Sequence, residues 1–266
     1  MRKLWPVITL VIFCLAARWG ACEDLADLFN PSREPGIKLG VFWWGAALQG
    51  NVGFPTKLNG TGNKINFSDD LGQERAANVP LAKLDIMLSR KWRLQLEYWQ
   101  VQQEGETILD RTVLFGNQFF TAGEKVASTF TAQVAETIIG YRFFTRAKLD
   151  LYVTGGFNVA RFDQELRSHT ATSKFSMTQV STLLGLSGDY RLTSRISLCG
   201  SLAGYFQSSL NLEEYLVETD WAMAVRFLGG ARFVAGYKGY WLSAQDDVSN
   251  FRYELSGPYA GLSLAF

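Results

Sequence analysis

From Trp92 to Tyr98 the chain alternates without a break. Trp92, Leu94, Leu96 and Tyr98 are apolar or aromatic, and Arg93, Gln95 and Glu97 between them are charged or polar. Successive side chains of a strand point to opposite faces, so this spacing predicts a ribbon with one greasy and one ionic side. The pattern returns along the chain, as in Thr137, Ile139, Tyr141 and Phe143 against Glu136, Gly140 and Arg142. Beyond the start of the chain, no stretch approaches the ~20 consecutive apolar residues of a spanning helix. If such a chain crosses a membrane it crosses as strands, and strands in lipid must close into a barrel to leave no backbone donor unpaired.

Ten strands fit the pattern. Nine begin near Ile37, Pro80, Trp92, Thr129, Leu149, Phe175, Ile196, Leu216 and Ala231, and the tenth ends the chain. Eight and twelve are the neighbouring counts the same pattern admits. The connections alternate: residues 50–78, 102–125 and 163–173 are long and polar, whereas 89–91, 145–148, 191–195 and 229–230 are short. Outer-membrane barrels combine short periplasmic turns with longer outer loops and an even strand number. Aromatic residues also gather near the strand ends, among them Trp92, Tyr98, Tyr141, Phe143, Tyr190, Phe206, Trp221, Phe227, Trp241 and Phe266. Two interfacial girdles would place them there. The expected fold is all-β: a transmembrane, antiparallel, up-and-down β-barrel over residues 37–266.

The last strand carries a second signal. Leu262, Leu264 and Phe266 share one face and Gly261, Ser263 and Ala265 the other. An edge strand ending on a bare aromatic is a liability in water, but in a barrel it closes onto the first strand. Tyr259, Gly261, Leu264 and Phe266 resemble the C-terminal assembly signal of bacterial outer-membrane barrels: a polar or aromatic residue, a glycine two positions on, and two apolar positions at the end. That resemblance implies recognition of the last strand by the barrel-assembly machinery. It also implies an outer-membrane location, with lipid and lipopolysaccharide as surroundings.

The beginning of the chain reads as an export signal over residues 1–21. Arg2 and Lys3 precede an apolar run from Leu4 to Ala17, too short to span. Cleavage after Ala17 would put Leu15 at the third position back, and cleavage after Ala21 would put bulky Trp19 there; Gly20-Ala21-Cys22 has the form of a lipoprotein box with Trp19 in place of its leucine. Residues 22–36 form a polar periplasmic lead-in. With Cys14 in the signal and Cys199 in the body, no disulfide framework is expected, and Cys199 reads as a small strand-borne filler. The net charge of +1 gives no electrostatic case for nucleic acid. The expected barrel is a monomer and needs no cofactor.

Alternation alone does not say which face is outside, because a secreted barrel would put the apolar set inside. The export signal, girdles, loop asymmetry and terminal Phe266 favour the inverted arrangement. Lys83, Asp85, Arg93, Glu97, Glu136, Glu218, Asp220, Arg226 and Lys238 then point into the lumen. Lys38, Arg142, Asp150 and Arg232 join them. Their mixed signs suit a narrow interior filled by ion pairs and water, a polar core, over an open pore. About ten strands is closer to the side-chain-filled eight-stranded barrels than to 16-stranded porins.

Catalysis has little to stand on. A serine nucleophile needs a general base in reach, and the one histidine, His169, lies in an outer loop beside Ser168. The carboxylate–histidine couple of omptin proteases would want an aspartate where Arg167 stands. Asp69-Asp70 and Asp246-Asp247 offer carboxylate oxygens to a divalent cation, but as loop acids they read as solvated, so no metal site is expected.

Three stretches complete the reading: residues 65–72 (INFSDDLG), 115–123 (FGNQFFTAG) and 251–266. Together they resemble a family of small, poorly characterised Gram-negative outer-membrane barrel proteins. The resemblance implies a barrel in the outer membrane and no established activity. The ordered composition of the first two stretches, in the two longest loops, predicts that they fold over the barrel mouth.

Overall fold

The computed structural model describes residues 36–54, 63–206, 215–245 and 250–266. The expected signal segment 1–21, Cys22, the lead-in as far as residue 35, and Asp246 and Asp247 lie outside them. Among the described residues all regular structure is strand. In chain order the strands are β1 (Ile37–Phe54), β2 (Asn63–Asn66), β3 (Ala76–Met87), β4 (Trp92–Ile108), β5 (Val113–Phe115), β6 (Gln118–Phe120) and β7 (Lys125–Thr145). They continue with β8 (Leu149–Arg167), β9 (Thr172–Arg191), β10 (Ile196–Phe206), β11 (Tyr215–Leu228), β12 (Ala231–Gln245) and β13 (Asn250–Ala265).

The ten long strands form one antiparallel ring in the order β13-β12-β11-β10-β9-β8-β7-β4-β3-β1, closed by β1 against β13. At the seam Ile37 and Phe266 exchange both backbone hydrogen bonds, at 3.4 and 2.9 Å. Closure leaves no free sheet edge. The seam also explains Gly261: a Cβ there would lie 2.2 Å from the Val41 carbonyl and 2.8 Å from the Phe42 ring. β2 pairs with the far end of β1, and β5 with β6 makes a separate hairpin. Both ends of the ring chain lie at the rim with the tight turns 88–91, 146–148, 192–195 and 229–230, which is the periplasmic rim. Gly229 takes φ +50° in the shortest of these turns.

Along the strands the chemistry of the two faces changes over. On β4, Leu94, Leu96 and Tyr98 face out and Arg93 and Glu97 face in. From Trp99 onward Trp99, Val101 and Gln103 are buried, and Gln100, Gln102, Glu104 and Glu106 face out. On β8, Val153 and Phe157 face out over buried Asp150, Thr154 and Asn158. Higher up, Phe162 and Leu166 are buried under outward Arg161, Asp163, Glu165 and Arg167. A one-residue slip would produce such an exchange, but the β4–β7 register runs unbroken from Trp92↔Tyr141 to Ile108↔Lys125. The geometry stays constant and the surroundings change. Near the rim the outward face carries exposed Leu39, Trp43, Leu184, Leu186, Trp221, Phe233 and Leu262, a belt for lipid. Charges facing out are costly in lipid, so the outer part of the barrel projects into water.

This corrects the expected loop bounds. β1 continues into the expected loop 50–78, β4 and β7 take up both flanks of 102–125, and β8 and β9 reduce 163–173 to a turn at 168–171. The projecting parts present polar residues outward, and in composition they look like loop.

Candidate functional site in the barrel interior

The interior is built in three levels. At the periplasmic end, Arg93 reaches Asp189 at 3.0 Å and Ser187 at 2.7 Å and lies 4.1 Å over the Tyr152 ring. Beside it the Asp150 carboxylate accepts from Arg142 at 3.2 Å and Arg191 at 3.3 Å. Arginine's fixed fork suits such shared carboxylates.

The middle level begins as a row in register across five strands: Lys83, Glu97, Glu136, Asn158 and Ser181. From the opposite wall come Glu218 and Asp220 of β11 and Lys238 of β12. Lys83 bonds Glu97 at 3.1 Å and also pairs with Asp220. Lys238, fully buried, bonds Glu97 at 2.7 Å and pairs with Glu218. The Lys83–Asp220 pair joins β3 to β11, with β12, β13 and β1 between them on the ring, so it crosses the lumen. The Tyr259 hydroxyl donates to Asp220 at 2.7 Å, and Asn158 donates to Glu136 at 2.7 Å. A cavity of about 60 Å³ opens against Lys83, Asp85, Glu97, Ser187 and Asp220, with room for a few waters.

Above this lies an aromatic core. Trp44 meets Trp99 edge to face at 5.6 Å, and Trp99 meets Tyr240 at 5.1 Å. Phe130, Phe162, Phe251 and Tyr253 pack beyond them, with ring centroids 4.9–6.4 Å apart. Two outer segments pack onto this core. In residues 65–72, Ile65, Phe67 and Leu71 are buried, with Phe67 5.0 Å from Phe130. Gly72 turns at φ +66° directly above the Glu106 carbonyl, where a Cβ would meet that oxygen at 2.7 Å. Gln73 bridges to Gly105, and the Ser128 hydroxyl donates to the Leu71 carbonyl at 3.1 Å while Gln73 donates to Ser128 at 3.2 Å. The β5–β6 hairpin buries Val113, Phe115 and Phe120, and Ser173 donates to the Phe115 carbonyl at 2.9 Å.

The fold thus brings together Lys83, Glu97, Glu136, Glu218, Asp220 and Lys238. It places Arg93 one level below them and Asp85 on the cavity wall. Arg226 keeps the parity of Glu218 and Asp220 but stands exposed at the rim, across from Arg232, near the end of β11. In the terminal motif, Tyr259 and Gly261 face in, and Leu264 and Phe266 face out. Sequence spacing assigns Tyr259 to that motif alone; its shared parity with inward Gly257 and Gly261 is the signal that also places it in the ion network.

Elsewhere, His169 stands exposed on the β8–β9 turn with Nδ1 3.9 Å from Glu124. The Ser168 hydroxyl lies 3.1 Å from that of Thr170. Asp69 is paired with Arg75 at 3.0 Å and Asp70 with Arg111 at 3.1 Å. Cys199 is a free thiol on a partly buried site.

A closed ten-stranded ring with a lipid-facing apolar belt and a polar interior at the same height defines an integral outer-membrane β-barrel. Comparison with solved structures agrees on the fold. The chain is similar to the outer-membrane protease OmpT of Escherichia coli, with a TM-score of 0.56 and 10% identity, covering 86% of this chain and 96% of that one. It is also similar to the translocator domain of the autotransporter NalP of Neisseria meningitidis, at 0.47 and 12%, covering 99% of each chain. No protein-family profile and no curated relative matches the sequence.

Proposed function

We propose that this protein is a sealed outer-membrane barrel with a structural or surface-interaction role, acting as a monomer without a cofactor. The observation that carries the reading is that the interior is filled at two heights. Ion pairs joining β3 to β11 and β4 to β12 cross the middle, and an aromatic core capped by Phe67 and Leu71 fills the outer part. A solute would have to break both. The two packed segments at the mouth then form a shaped, water-facing surface for contact outside the cell. Membrane lipid and lipopolysaccharide surround the belt, and β13 is the strand offered to the assembly machinery. A non-catalytic role is supported by His169, whose side chain is 81% exposed and whose nearest carboxylate is 3.9 Å away, short of a hydrogen-bonded acid–base couple.

Planar-bilayer recording of the refolded protein tests the sealed barrel. A quiet membrane is expected. Reproducible stepwise currents that disappear in Glu97→Gln would overturn the reading in favour of a narrow channel for small polar solutes.

A further inference from the structure

The middle level holds more negative than positive groups. Lys83 pairs with Glu97 and Asp220, and Lys238 pairs with Glu97 and Glu218. Asp220 also receives the Tyr259 hydroxyl. Among the described residues, Glu136 is the carboxylate at this level with no cation at ion-pair distance. Its side chain is 3% exposed, its Oε1 accepts from Asn158, and its Oε2 is buried without a hydrogen-bond partner. Yet carboxylate oxygens of Glu97, Glu136 and Glu218 lie within 4.8 Å of one another. Carboxylates packed this closely inside a protein do not all ionise: one keeps a proton.

Every wall contributes to this choice. Lys83 of β3 and Lys238 of β12 both engage Glu97 of β4, which favours its charged form. Glu218 of β11 pairs with Lys238. Asn158 of β8 and Ser181 of β9 are neutral, and the phenol of Tyr240, directly across from Glu218, is buried and uncharged. A metal ion fits poorly, because the Lys238 ammonium already occupies the space between Glu97 and Glu218. We propose that Glu136 keeps a proton in the folded barrel, making this a proton site that links the stability of the barrel to pH. The proposal is independent of whether the lumen conducts.

The sign follows from linkage. An unfolded glutamate ionises near pH ~4.3, so above that the folded state binds the extra proton. The ratio of folded to unfolded protein then falls as pH rises, by up to about tenfold per pH unit for one proton. Glu136→Gln keeps the shape and a donor but has no proton to lose. Urea unfolding of both proteins in detergent, from pH 6 to pH 9, is the test. The wild type is expected to lose up to about tenfold per pH unit relative to Glu136→Gln; parallel curves would overturn the proposal. Infrared spectra at pH 7 provide a second readout that needs no variant. A protonated-carboxyl carbonyl band is expected, and its absence would also overturn the proposal. So would a stoichiometric metal ion in the purified wild type that chelator removes and Glu136→Gln lacks.

Discussion

The lipid-belted part of this barrel and the part that projects from it are made by the same strands with opposite chemistry. In the belt, the outward residues are apolar and the inward ones ionic. In the projecting part, the inward residues are aromatic and the outward ones charged. On β4 the change falls between Tyr98 and Trp99, with the register intact. Inside and outside on a strand are fixed by parity, but which of them is greasy is fixed by the solvent at that height. The two parts are also held differently. A fully buried large apolar side chain contributes roughly 1.5–3 kcal/mol, whereas a buried ion pair often breaks even against its desolvation. The aromatic core therefore supplies the larger share of stability. The ion network supplies a defined interior, and it is costly to break once built.

Removing an aromatic from the projecting core should have the largest effect. Trp99→Ala leaves a cavity among Trp44, Tyr240 and Leu81, and a loss of about 3–5 kcal/mol is expected. Trp92→Ala, on the lipid side, should cost much less because lipid chains fill the space. Denaturant unfolding in vesicles compares them, and equal losses would mean that the outer core is not packed as described.

Next in size is the cost of a misplaced charge. Leu96→Arg, in the belt, should destabilise by about 2–4 kcal/mol. Gln102→Arg, on the same face of the same strand above the changeover, should stay within about 0.5 kcal/mol. If Gln102→Arg cost as much as Leu96→Arg, the belt would extend over the whole strand and the two-part description would fail.

This changeover also sets how much the sequence could reveal. Strand number, tight turns and the closing strand were legible where outward residues are apolar, because alternation there matches the rule for lipid-facing strands. Above Tyr98, Val159 and Val180 the same rule fails. Gln102, Glu104 and Glu106, or Arg161, Asp163 and Glu165, are spaced correctly for a strand, but their polarity is that of a loop. The aromatic core was hidden for the same reason, since Phe130 and Phe162 lay next to stretches already assigned to connections. Pairing across the lumen, as between Lys83 and Asp220, has no local signature and comes only from ring closure.

A smaller effect separates the loop fastening from the barrel beneath it. The Ser128 hydroxyl bonds both the Leu71 carbonyl and the Gln73 side chain. Ser128→Ala takes this donor from the Leu71 carbonyl and leaves the Gln73 amide with its longer bond to Gln164, at a cost of about 1–3 kcal/mol. Trypsin should then cut faster at exposed Arg75 while the barrel stays resistant. Unchanged cleavage would mean that Phe67 and Leu71 hold the segment without the polar fastening.

The smallest expected effect belongs to Glu124, at the base of the β5–β6 hairpin, in the water-facing part. Hydrogen bonds from Ser168, Thr170 and the Thr121 amide lower its carboxyl to about 2 from an ordinary value of 4.5. The Thr170 bond, at 2.5 Å, ties the hairpin to the β8–β9 turn. A carboxyl whose folded value is depressed stabilises the contact above its unfolded value, and that contribution is lost as pH falls through the folded one. The hairpin should therefore loosen between pH ~4.5 and about 2, while the aromatic core beneath it, which carries no titrating group in this range, stays closed. Pepsin, active across this window, should cut the hairpin increasingly toward pH 2 once rates are normalised to a denatured control. Glu124→Gln should remove most of that pH dependence. A flat normalised rate in the wild type would show that the hairpin is held by Val113, Phe115 and Phe120 alone. The division between a titratable outer surface and an inert core would then begin further from the mouth than Glu124.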